Sequence, residues 1–364
     1  MKLMIVCGGT GGHIYPGIAL AKAIKNRNPD GKIIFIGKKK GLEEQIFLRD
    51  GWDYRTIIIS GMPREFSVKW FSFIFKMILG IIQSIIIINK EKPDIIVGTG
   101  AYITVPVILS GKIFRVPELL MEQNTYPGIA TRFLARIVNK IAVSFEETVK
   151  YLPGKKCIHT GNPVRPEIIS KDKESACRLL NFDESKKTLL IFGGSQGAHS
   201  INKACIDMKP LLEPLYDRLQ MIMITGENDF KEVNECYEKT NIKIMIAPFY
   251  YNMENALAVS DMVISRSGAS TLAEVTARGI PSILIPYPYA TDQHQLKNAE
   301  AMVKSGAAYI IPDRDLTGEI LGKYIIALLF DDIKLKSIKE ASKKLGRPDA
   351  IENIAKIVEE LIAK

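Results

Sequence analysis

The stretch LMIVCGGTGGHIYP, residues 3–16, decides the fold of the first half of this sequence. Its apolar run Leu3–Val6 predicts a buried strand, and Gly8–Gly12 predicts a loop whose backbone N–H groups can approach an anion closely. The second half opens in the same way, with TLLIFGGSQGA at residues 188–198. A strand, a glycine loop and a helix in this order begin a nucleotide-binding domain, so the sequence predicts two such domains.

Short apolar runs alternate with helical patterns along the whole chain. The predicted strands are Leu3–Val6, Ile33–Ile36, Ile57–Ile59, Ile95–Val97, Leu119–Met121, Lys140–Val143, Thr188–Phe192, Met221–Ile224, Lys243–Ala247, Met262–Ser265 and Ser282–Pro286. Predicted helices between them include Ile18–Lys25, Glu43–Arg49, Val68–Asn89 and Thr271–Arg278. This alternation is typical of the α/β class with parallel sheets. We expect two Rossmann-like, doubly wound domains that face each other across a cleft at the carboxyl ends of their strands.

The length of 364 residues favours two domains. The segment Gly161–Pro166 contains a glycine and two prolines, which stop regular structure, and therefore separates residues 1–163 from residues 164–345. Gly346-Arg347-Pro348 interrupts the terminal helical pattern. We expect residues 346–364 to form a helix that returns to the first domain.

The composition limits the classes of ligand that the protein can bind but does not identify one of them. Lys and Arg number 49 against 40 Asp and Glu, and the net charge of +9 suits nucleic acid, phosphorylated substrates or an acidic membrane surface. The five cysteines show no CxxC spacing, so neither a disulfide framework nor a zinc site is expected, and a reducing compartment fits. No Asp-x-Asp pair or His cluster is placed to bind a metal, so no metal and no cofactor are expected.

The Gly8–Gly12 loop holds more glycine than a tight turn requires, which favours a phosphate-binding loop. It is not a Walker motif, and it departs from GxGxxG. The second strand ends in Gly37-Lys38-Lys39-Lys40 instead of the acid that binds an NAD ribose, which leaves NADP open. His13 follows the loop at a helix start, where a neutral imidazole that acts as a general base is favoured. A structural loop histidine is the alternative.

Further along, two more glycine loops occur, Gly98–Tyr102 and Gly193–Gly197. Each follows a predicted strand and suits a phosphate group, although an ordinary turn explains the first of them equally well. Ser265–Glu274 again follows a strand and begins a helix. Glu274 can accept hydrogen bonds from two ribose hydroxyls, or its carboxylate can simply interact favourably with the N-terminal end of the helix dipole. Asp292–Ala299 brings amide side chains to a loop–helix junction, where they suit sugar hydroxyls.

The segment from Phe66 to Ile88 is unusually apolar, and basic residues flank or interrupt it. It is nearly long enough to span a bilayer, but it lies between strands of one sheet, and a span would disrupt that domain. We predict that one of its faces joins the core and that another dips into an anionic membrane. The residues expected to contact the membrane are Lys69, Trp70, Phe71, Phe73, Phe75 and Lys76. A segment buried entirely in the core is the alternative.

Taken together, these segments resemble the MurG family of N-acetylglucosaminyltransferases, which act on UDP-N-acetylglucosamine and N-acetylmuramyl-(pentapeptide) pyrophosphoryl-undecaprenol. The resemblance runs essentially from end to end of the chain. It rests on GGTGGHIYPGIALA from Gly8, VGTGAY from Val97, EQN at Glu122–Asn124, GNPVR at Gly161–Arg165, GGSQGA at Gly193–Ala198, and SRSGASTLAE through PSILIPYPYATDQHQLKNA from Ser265 to Ala299. The family has a GT-B fold, which agrees with two facing domains.

The resemblance also implies roles for individual residues. His13 is the implied base. The residues implied to bind UDP-N-acetylglucosamine are Thr10, Gly11, Gly12, Asn124, Arg165, Ser195, Tyr250, Ala269, Ser270, Thr271, Leu272, Ala273, Glu274 and Gln295. The acceptor diphosphate is assigned to Thr99, Gly100, Ala101 and Tyr102. The family commonly has His where this chain has Met121, which leaves the support of Asn124 open.

The function implied is that of a hexosyltransferase, in which N-acetylglucosamine passes with inversion to the 4-hydroxyl of lipid I and gives lipid II for peptidoglycan synthesis. The implied partners are UDP-N-acetylglucosamine, lipid I, the anionic inner-leaflet surface and other cell-wall synthesis proteins, with no nucleic acid. The implied location is the cytoplasmic face of the cell membrane, as a peripheral protein. The alternatives are a glycolipid synthase with another lipid acceptor, an NADP-dependent oxidoreductase and a non-catalytic membrane-surface binding protein.

Overall fold

A computed structural model describes residues 1–9, 11–63, 68–194 and 196–363 of the chain. The chain divides into two compact units, Met1–Pro163 with Asp349–Lys364, and Val164–Pro348. Each unit is built on one sheet whose strand pairs are all parallel.

The first unit contains a seven-stranded sheet in the order β3-β2-β1-β4-β5-β6-β7. Its strands are β1 (Lys2–Val6), β2 (Lys32–Lys38), β3 (Asp53–Ile57), β4 (Ile95–Gly98), β5 (Glu118–Glu122), β6 (Lys140–Val143) and β7 (Cys157–His159). Its helices are α1 (Gly11–Arg27), α2 (Leu42–Arg49), α3 (Lys69–Glu91), α4 (Thr104–Ile113) and α5 (Ile129–Leu134). Successive residues of β1 enter different cores, Leu3 and Ile5 on one face and Met4 and Val6 on the other. Both faces are therefore covered, as a parallel sheet requires.

The second unit contains a six-stranded sheet in the order β10-β9-β8-β11-β12-β13. Its strands are β8 (Lys187–Phe192), β9 (Leu219–Ile224), β10 (Lys243–Ala247), β11 (Met262–Ser265), β12 (Ser282–Leu284) and β13 (Ala308–Ile310). Its helices are α6 (Pro166–Ser170), α7 (Lys173–Leu180), α8 (His199–Asp207), α9 (Lys209–Leu212), α10 (Phe230–Tyr237), α11 (Met253–Val259), α12 (Ala269–Arg278), α13 (His294–Lys304), α14 (Gly318–Leu329) and α15 (Asp332–Leu345). Here too the residues of the central strand β8 alternate between two cores.

The last helix, α16 (Ala350–Ile362), belongs to the first unit. Its apolar residues Ile354, Val358 and Leu361 join the same core cluster as Leu20 and Ile24 of α1. Arg27 at the end of α1 forms ion pairs with Glu352 and Glu359 of α16. The helix therefore covers one face of the first sheet.

Several predicted boundaries are wrong. The third strand covers Asp53–Ile57 and not Ile57–Ile59, because β3 is an edge strand whose residues are mostly only partly buried, so that no apolar run marks it. The first helix begins at Gly11 and not near Ile18, which places His13 in its first turn. The predicted strands omitted β7 and β13, which are short edge strands of three residues each.

One buried charge in the first unit makes its stability depend on pH. Glu118 opens β5 and is fully buried, and Lys112 Nζ lies 3.1 Å from its Oε2. Burial raises the pKa of Glu118 from 4.5 to about 7, against the opposing effect of the Lys112 ammonium. Because this folded-state pKa lies above the unfolded-state value, the charged form is disfavoured in the folded protein.

We predict that the wild-type protein loses up to about 3 kcal/mol of stability from this residue as the pH rises from about 4.5 to about 7, and no more above that range. Glu118→Gln removes the ionisation and should therefore stabilise the protein more at pH 8 than at pH 5, which melting temperatures at both pH values will measure. Glu360→Gln, at an exposed position of α16, is the control and should give no such difference. An equal effect of Glu118→Gln at both pH values would contradict the prediction.

Candidate functional site

The first glycine loop joins β1 to α1. Gly9 has a φ of +93°, a conformation that favours glycine, and a side chain at this position would meet nothing within 4 Å. Helix α1 begins at Gly11, so the N–H groups of Gly11 and Gly12 lie in its first turn without helical acceptors. Thr10 lies outside the described residues. The open face at Gly9 and the free N–H groups beside it suit an anionic or strongly polar ligand.

His13 is held against the loop that follows β4. Its Nδ1 lies 2.7 Å from the Thr99 carbonyl oxygen and 3.1 Å from Gln123 Oε1. Both partners are acceptors, so Nδ1 carries the proton and donates it, and Nε2 keeps the lone pair of a base. A side chain on Gly100 would lie 3.0 Å from the His13 ring, so glycine there allows this close contact.

Gln123 is a neighbour of His13 that the sequence alone does not reveal. It is buried, and its Nε2 donates to the Met121 carbonyl oxygen at 3.2 Å. That bond fixes the amide orientation and turns Oε1 towards His13. The EQN segment was the available signal, but sequence alone does not show which of its three side chains reaches the histidine.

Asn124 is positioned by the first residue of the same segment. Glu122 Oε1 accepts hydrogen bonds from Asn124 N at 3.0 Å and Asn124 Nδ2 at 3.4 Å, and Glu122 Oε2 accepts from Gly128 N at 3.2 Å. The Met121 side chain instead lies in the apolar core of the first unit. The support of Asn124 that was left open at Met121 comes from Glu122.

The loop Thr99–Tyr102 has an unusual backbone. Gly100 has a φ of +97° and Ala101 a φ of +61°, and the Thr104 hydroxyl bonds to the Gly100 carbonyl oxygen. A residue other than glycine in the left-handed region is held there by its surroundings, and such positions are common at functional sites. The Tyr102 ring packs edge-on against Phe73 of α3, with centroids 6.2 Å apart.

In the second unit, close packing against neighbouring backbone accounts for two of the glycines in the third glycine loop, Gly193–Gly197. A side chain on Gly197 would lie 2.0 Å from the Thr225 carbonyl oxygen, and one on Gly193 would lie 2.3 Å from Ala198 N. Gly194, with a φ of +96°, faces open space in the same way as Gly9 in the first unit. Ser195 lies outside the described residues. Of the three described glycines in this loop, Gly194 is therefore the one that leaves a face open for a ligand.

Arg165 and Glu274 are distant in sequence but adjacent in the second unit. Arg165 caps the N-terminus of α6, and its Nη2 donates to Glu274 Oε1 at 3.3 Å. Burial raises the pKa of Glu274, and the Arg165 guanidinium opposes that shift. A partly exposed carboxylate held by an arginine suits the recognition of hydroxyl groups next to an anion.

The residues Ala269–Glu274 form the first part of α12, which Gly268 caps. Ala269, Ser270 and Thr271 present N–H groups of the first turn, whereas Leu272 is buried and its N–H donates to the Gly268 carbonyl oxygen. This helix start therefore offers backbone donors at its first three residues.

Two other implied residues of the second unit have structural contacts. Tyr250 is partly buried against one of its two cores. Gln295 Oε1 accepts from Tyr287 N at 3.0 Å, which orients the amide. Asp292 and Gln293, just before α13, have φ values of +52° and +53°, a second strained backbone that no glycine in the sequence indicates.

Helix α3 presents two different faces. Gly80, Ser84 and Ile88 are buried, and the helix packs on α4, where the Ser110 hydroxyl bonds to the Ile81 carbonyl oxygen. The opposite face forms an exposed apolar stripe of Phe71, Ile74, Phe75, Ile78, Ile82 and Ile86, with Phe71 78% exposed. We call this set the α3 stripe. Among the described residues, α3 is the one helix long and apolar enough to cross a membrane.

The residues predicted to contact the membrane divide accordingly. Phe71 and Phe75 belong to the α3 stripe and Lys69 is exposed, whereas Trp70, Phe73 and Lys76 are only partly exposed. Phe66 and Arg64, one of the basic residues that flank the apolar segment, lie outside the described residues. The four isoleucines of the stripe were not among the residues predicted to contact the membrane, although they follow Phe71 at helical spacing.

In the described part of the chain, no three His, Cys, Asp or Glu side chains are grouped to hold a metal ion. Asp313 and Asp315 do form an Asp-x-Asp pair. Asp313 is, however, engaged by Arg266 and by the Ser200 hydroxyl.

Comparisons with known proteins agree with this architecture. The Glycosyltransferase family 28 N-terminal domain matches residues 3–143, and the corresponding C-terminal domain matches residues 188–354. The crystal structure of Acinetobacter baumannii MurG superimposes with a TM-score of 0.80 at 23% sequence identity, covering 99% of both chains. The chain has a GT-B α/β fold.

Two curated relatives are similar over their full lengths. One from Thermodesulfovibrio yellowstonii is 41% identical over 365 residues, and one from Desulforamulus reducens is 39% identical over 372 residues. Both alignments cover 100% of each chain, and both relatives are named UDP-N-acetylglucosamine–N-acetylmuramyl-(pentapeptide) pyrophosphoryl-undecaprenol N-acetylglucosamine transferase. The chain belongs to this family of glycosyltransferases, the MurG family.

Proposed function

We propose that this chain transfers N-acetylglucosamine from UDP-N-acetylglucosamine to the 4-hydroxyl of lipid I, an undecaprenyl-pyrophosphoryl-N-acetylmuramoyl-pentapeptide, and so makes lipid II. The arrangement of His13 carries the proposal, because the Thr99 carbonyl and Gln123 fix its Nδ1–H and leave Nε2 as a base. Full-length similarity to transferases named for these substrates supports the choice of donor and acceptor.

The reaction is an inverting displacement at the anomeric carbon. The acceptor 4-oxygen forms a bond to that carbon while the bond to the UDP oxygen breaks, and His13 Nε2 receives the hydroxyl proton. A base positioned in this way contributes about 10²–10⁴-fold. The charge that develops on the leaving diphosphate is stabilised by backbone N–H groups at helix starts and by the Arg165 guanidinium.

The donor is assigned mainly to the second unit. Glu274 accepts hydrogen bonds from the ribose, Tyr250 lies near the uracil, and Gln295 bonds to sugar hydroxyls. The diphosphate is assigned to the first turn of α12, to the loop at Gly194 and, from the family resemblance, to Ser195. From the first unit, the donor contacts are Thr10, Gly11, Gly12 and Asn124.

The acceptor is assigned to the first unit. Thr99–Tyr102 bind the acceptor diphosphate through backbone groups. The α3 stripe enters the surface of the cytoplasmic leaflet of the membrane, in which the lipid I acceptor is anchored. Basic residues at the ends of α3, including Lys69 and Lys90, face the anionic head groups. The protein is thus a peripheral enzyme of the cytoplasmic face, with other cell-wall synthesis proteins as neighbours.

A transfer assay tests the proposed function. Labelled N-acetylglucosamine should pass from UDP-N-acetylglucosamine to a short-chain lipid I analogue, and EDTA should leave the rate unchanged because helix starts and Arg165 meet the diphosphate charge. A diacylglycerol acceptor should remain unlabelled. Transfer to diacylglycerol in place of the lipid I analogue would overturn the acceptor assignment, and loss of activity in EDTA would overturn the metal-free mechanism.

We predict that His13→Ala lowers kcat by about 10²–10⁴-fold while UDP binding, measured by calorimetry, is retained.

We also predict that Gln123→Leu lowers kcat by only about tenfold, because the Thr99 carbonyl still accepts the hydrogen bond from His13 Nδ1. The KM values for donor and acceptor should change little. Gln123→Glu should move the acidic limb of the pH–rate profile to higher pH, since a carboxylate beside the ring favours the protonated imidazolium. A purely structural Gln123 would instead lower the melting temperature and leave the pH profile in place.

We predict that Phe71→Glu combined with Phe75→Glu reduces binding to vesicles of anionic phospholipid by at least about tenfold, because two large apolar side chains no longer enter the interface. Cosedimentation with vesicles measures this. Ile333→Glu is the matched control, since Ile333 is 84% exposed but lies on α15 of the second unit. Equal vesicle binding by the wild type and the double variant would contradict a membrane role for the stripe.

A further inference from the structure

A cavity of about 300 Å³ lies in the first unit beside the first glycine loop. This volume is at the lower end of the range of about 300–1,000 Å³ that is typical of small-molecule sites. Its polar lining comes from Gly8 and Gly9, Lys38, Glu43, Ser60 and Tyr102. The roles proposed above use only Tyr102 of this set, so Glu43 and Lys38 have no part in them.

Glu43 lies directly against the first glycine loop. It is the second residue of α2 and is only 2% exposed, and its Oε1 accepts from Lys38 N at 2.9 Å. Side chains on Gly8, Gly37 or Gly41 would each come within 2.8 Å of Glu43. Three positions without a side chain thus make room for one buried carboxylate. Anchoring a single turn does not by itself require such an arrangement.

The second carboxylate oxygen of Glu43 is available to a ligand. Among the described residues, no donor lies within hydrogen-bonding distance of Oε2, and Glu43 forms part of the cavity wall. An acceptor oxygen that has no protein partner and lies on a cavity wall can accept a hydrogen bond from a bound ligand.

The lining also indicates what kind of ligand this is. A carboxylate repels a phosphate at close range, so the Glu43 side of the cavity is unsuited to the diphosphate of either substrate. Ser60 and Lys38 contribute side chains of a type that can donate hydrogen bonds, while Ile59 and Ile103 add apolar wall. This mixture suits a neutral polar group that carries hydroxyl and amide functions.

Two neighbours connect the cavity with the acceptor. Ala101 and Tyr102 form part of its wall, and Gly100 next to them contacts the His13 ring. The Tyr102 ring also contacts Phe73 of α3, the helix that carries the apolar stripe. Through Gly100 and Tyr102, the cavity wall is thus connected with the proposed base and with the helix proposed to enter the membrane.

Resting on the proposed function, we propose that this cavity binds the N-acetylated amino sugar of the acceptor with its first peptide linkage, and that Glu43 Oε2 accepts a hydrogen bond from it. The donor group is a sugar hydroxyl or an amide N–H. Glu43 is in this account a specificity-determining residue for the acceptor and has no role in donor binding.

The test compares Glu43→Gln with Glu44→Gln. Glu44 lies in the same turn of α2 and also accepts from a loop N–H, that of Lys40, but it does not line the cavity. Glu43→Gln should raise the KM for the lipid-linked acceptor by at least about tenfold, the loss expected for one hydrogen bond to a charged group. The donor KM and the melting temperature should be unchanged, and Glu44→Gln should match the wild type in all three measurements.

Acceptor analogues identify the group that Glu43 binds. A 6-deoxy sugar or a truncated peptide should raise the wild-type acceptor KM, and the analogue that lacks the bonded group should cause no further rise in Glu43→Gln. Such coupling with either analogue supports the proposal. Coupling with neither, or an equal rise in donor and acceptor KM together with a lower melting temperature, would overturn it.

The proposed function and this inference fail separately. Turnover of the short-chain lipid I analogue by the wild-type enzyme tests the first of them. The role of Glu43 is tested by the ratio of the acceptor KM in Glu43→Gln to that in the wild type. This ratio can be measured with any lipid-linked acceptor that the wild-type enzyme turns over.

Discussion

The site in the first unit depends on the register of three parallel strands. Val6 of β1 pairs with Gly98 of β4, and Gly98 pairs in turn with Leu120 of β5. The Thr99 N–H continues this ladder by donating to the Val6 carbonyl oxygen at 2.9 Å. Because parallel strands all end at the same edge, three loops leave the sheet side by side. That edge brings His13 to Thr99 and Gln123, although 86 and 110 residues separate them in sequence.

The same architecture occurs in both units but is used differently. In each, a glycine with a φ above +90° leaves an open face at the end of the central strand, Gly9 in one unit and Gly194 in the other. The second unit adds a helix start and an arginine–carboxylate pair, which suit a nucleotide. The first adds a histidine with a fixed tautomer and a buried carboxylate, which suit a hydroxyl nucleophile and its sugar. A repeated fold thus carries two kinds of chemistry, because function resides in the loops and not in the sheet.

Much of the fold could be predicted from sequence because buried parallel strands leave strong apolar runs, as Leu3–Val6 and Leu189–Phe192 do. The edge strand β3 could not, since its partly buried residues carry no such run. At the site, glycine spacing and helix starts predicted the loops and His13. The contacts of Gln123 and Glu43 could not be predicted, because they are made across the sheet and beside glycines that leave space for a side chain from another part of the chain. The left-handed backbone at Asp292 and Gln293 likewise has no glycine to signal it.

The return of α16 to the first unit has a consequence for synthesis on the ribosome. Apolar residues of this helix complete a core that begins with β1, so that core stays incomplete until residues 350–362 have been made. The intervening 185 residues of the second unit, Val164–Pro348, can meanwhile fold around their own sheet. The nascent first unit therefore carries an uncovered apolar surface while these 185 residues are made, and exposed apolar surface of this kind promotes aggregation.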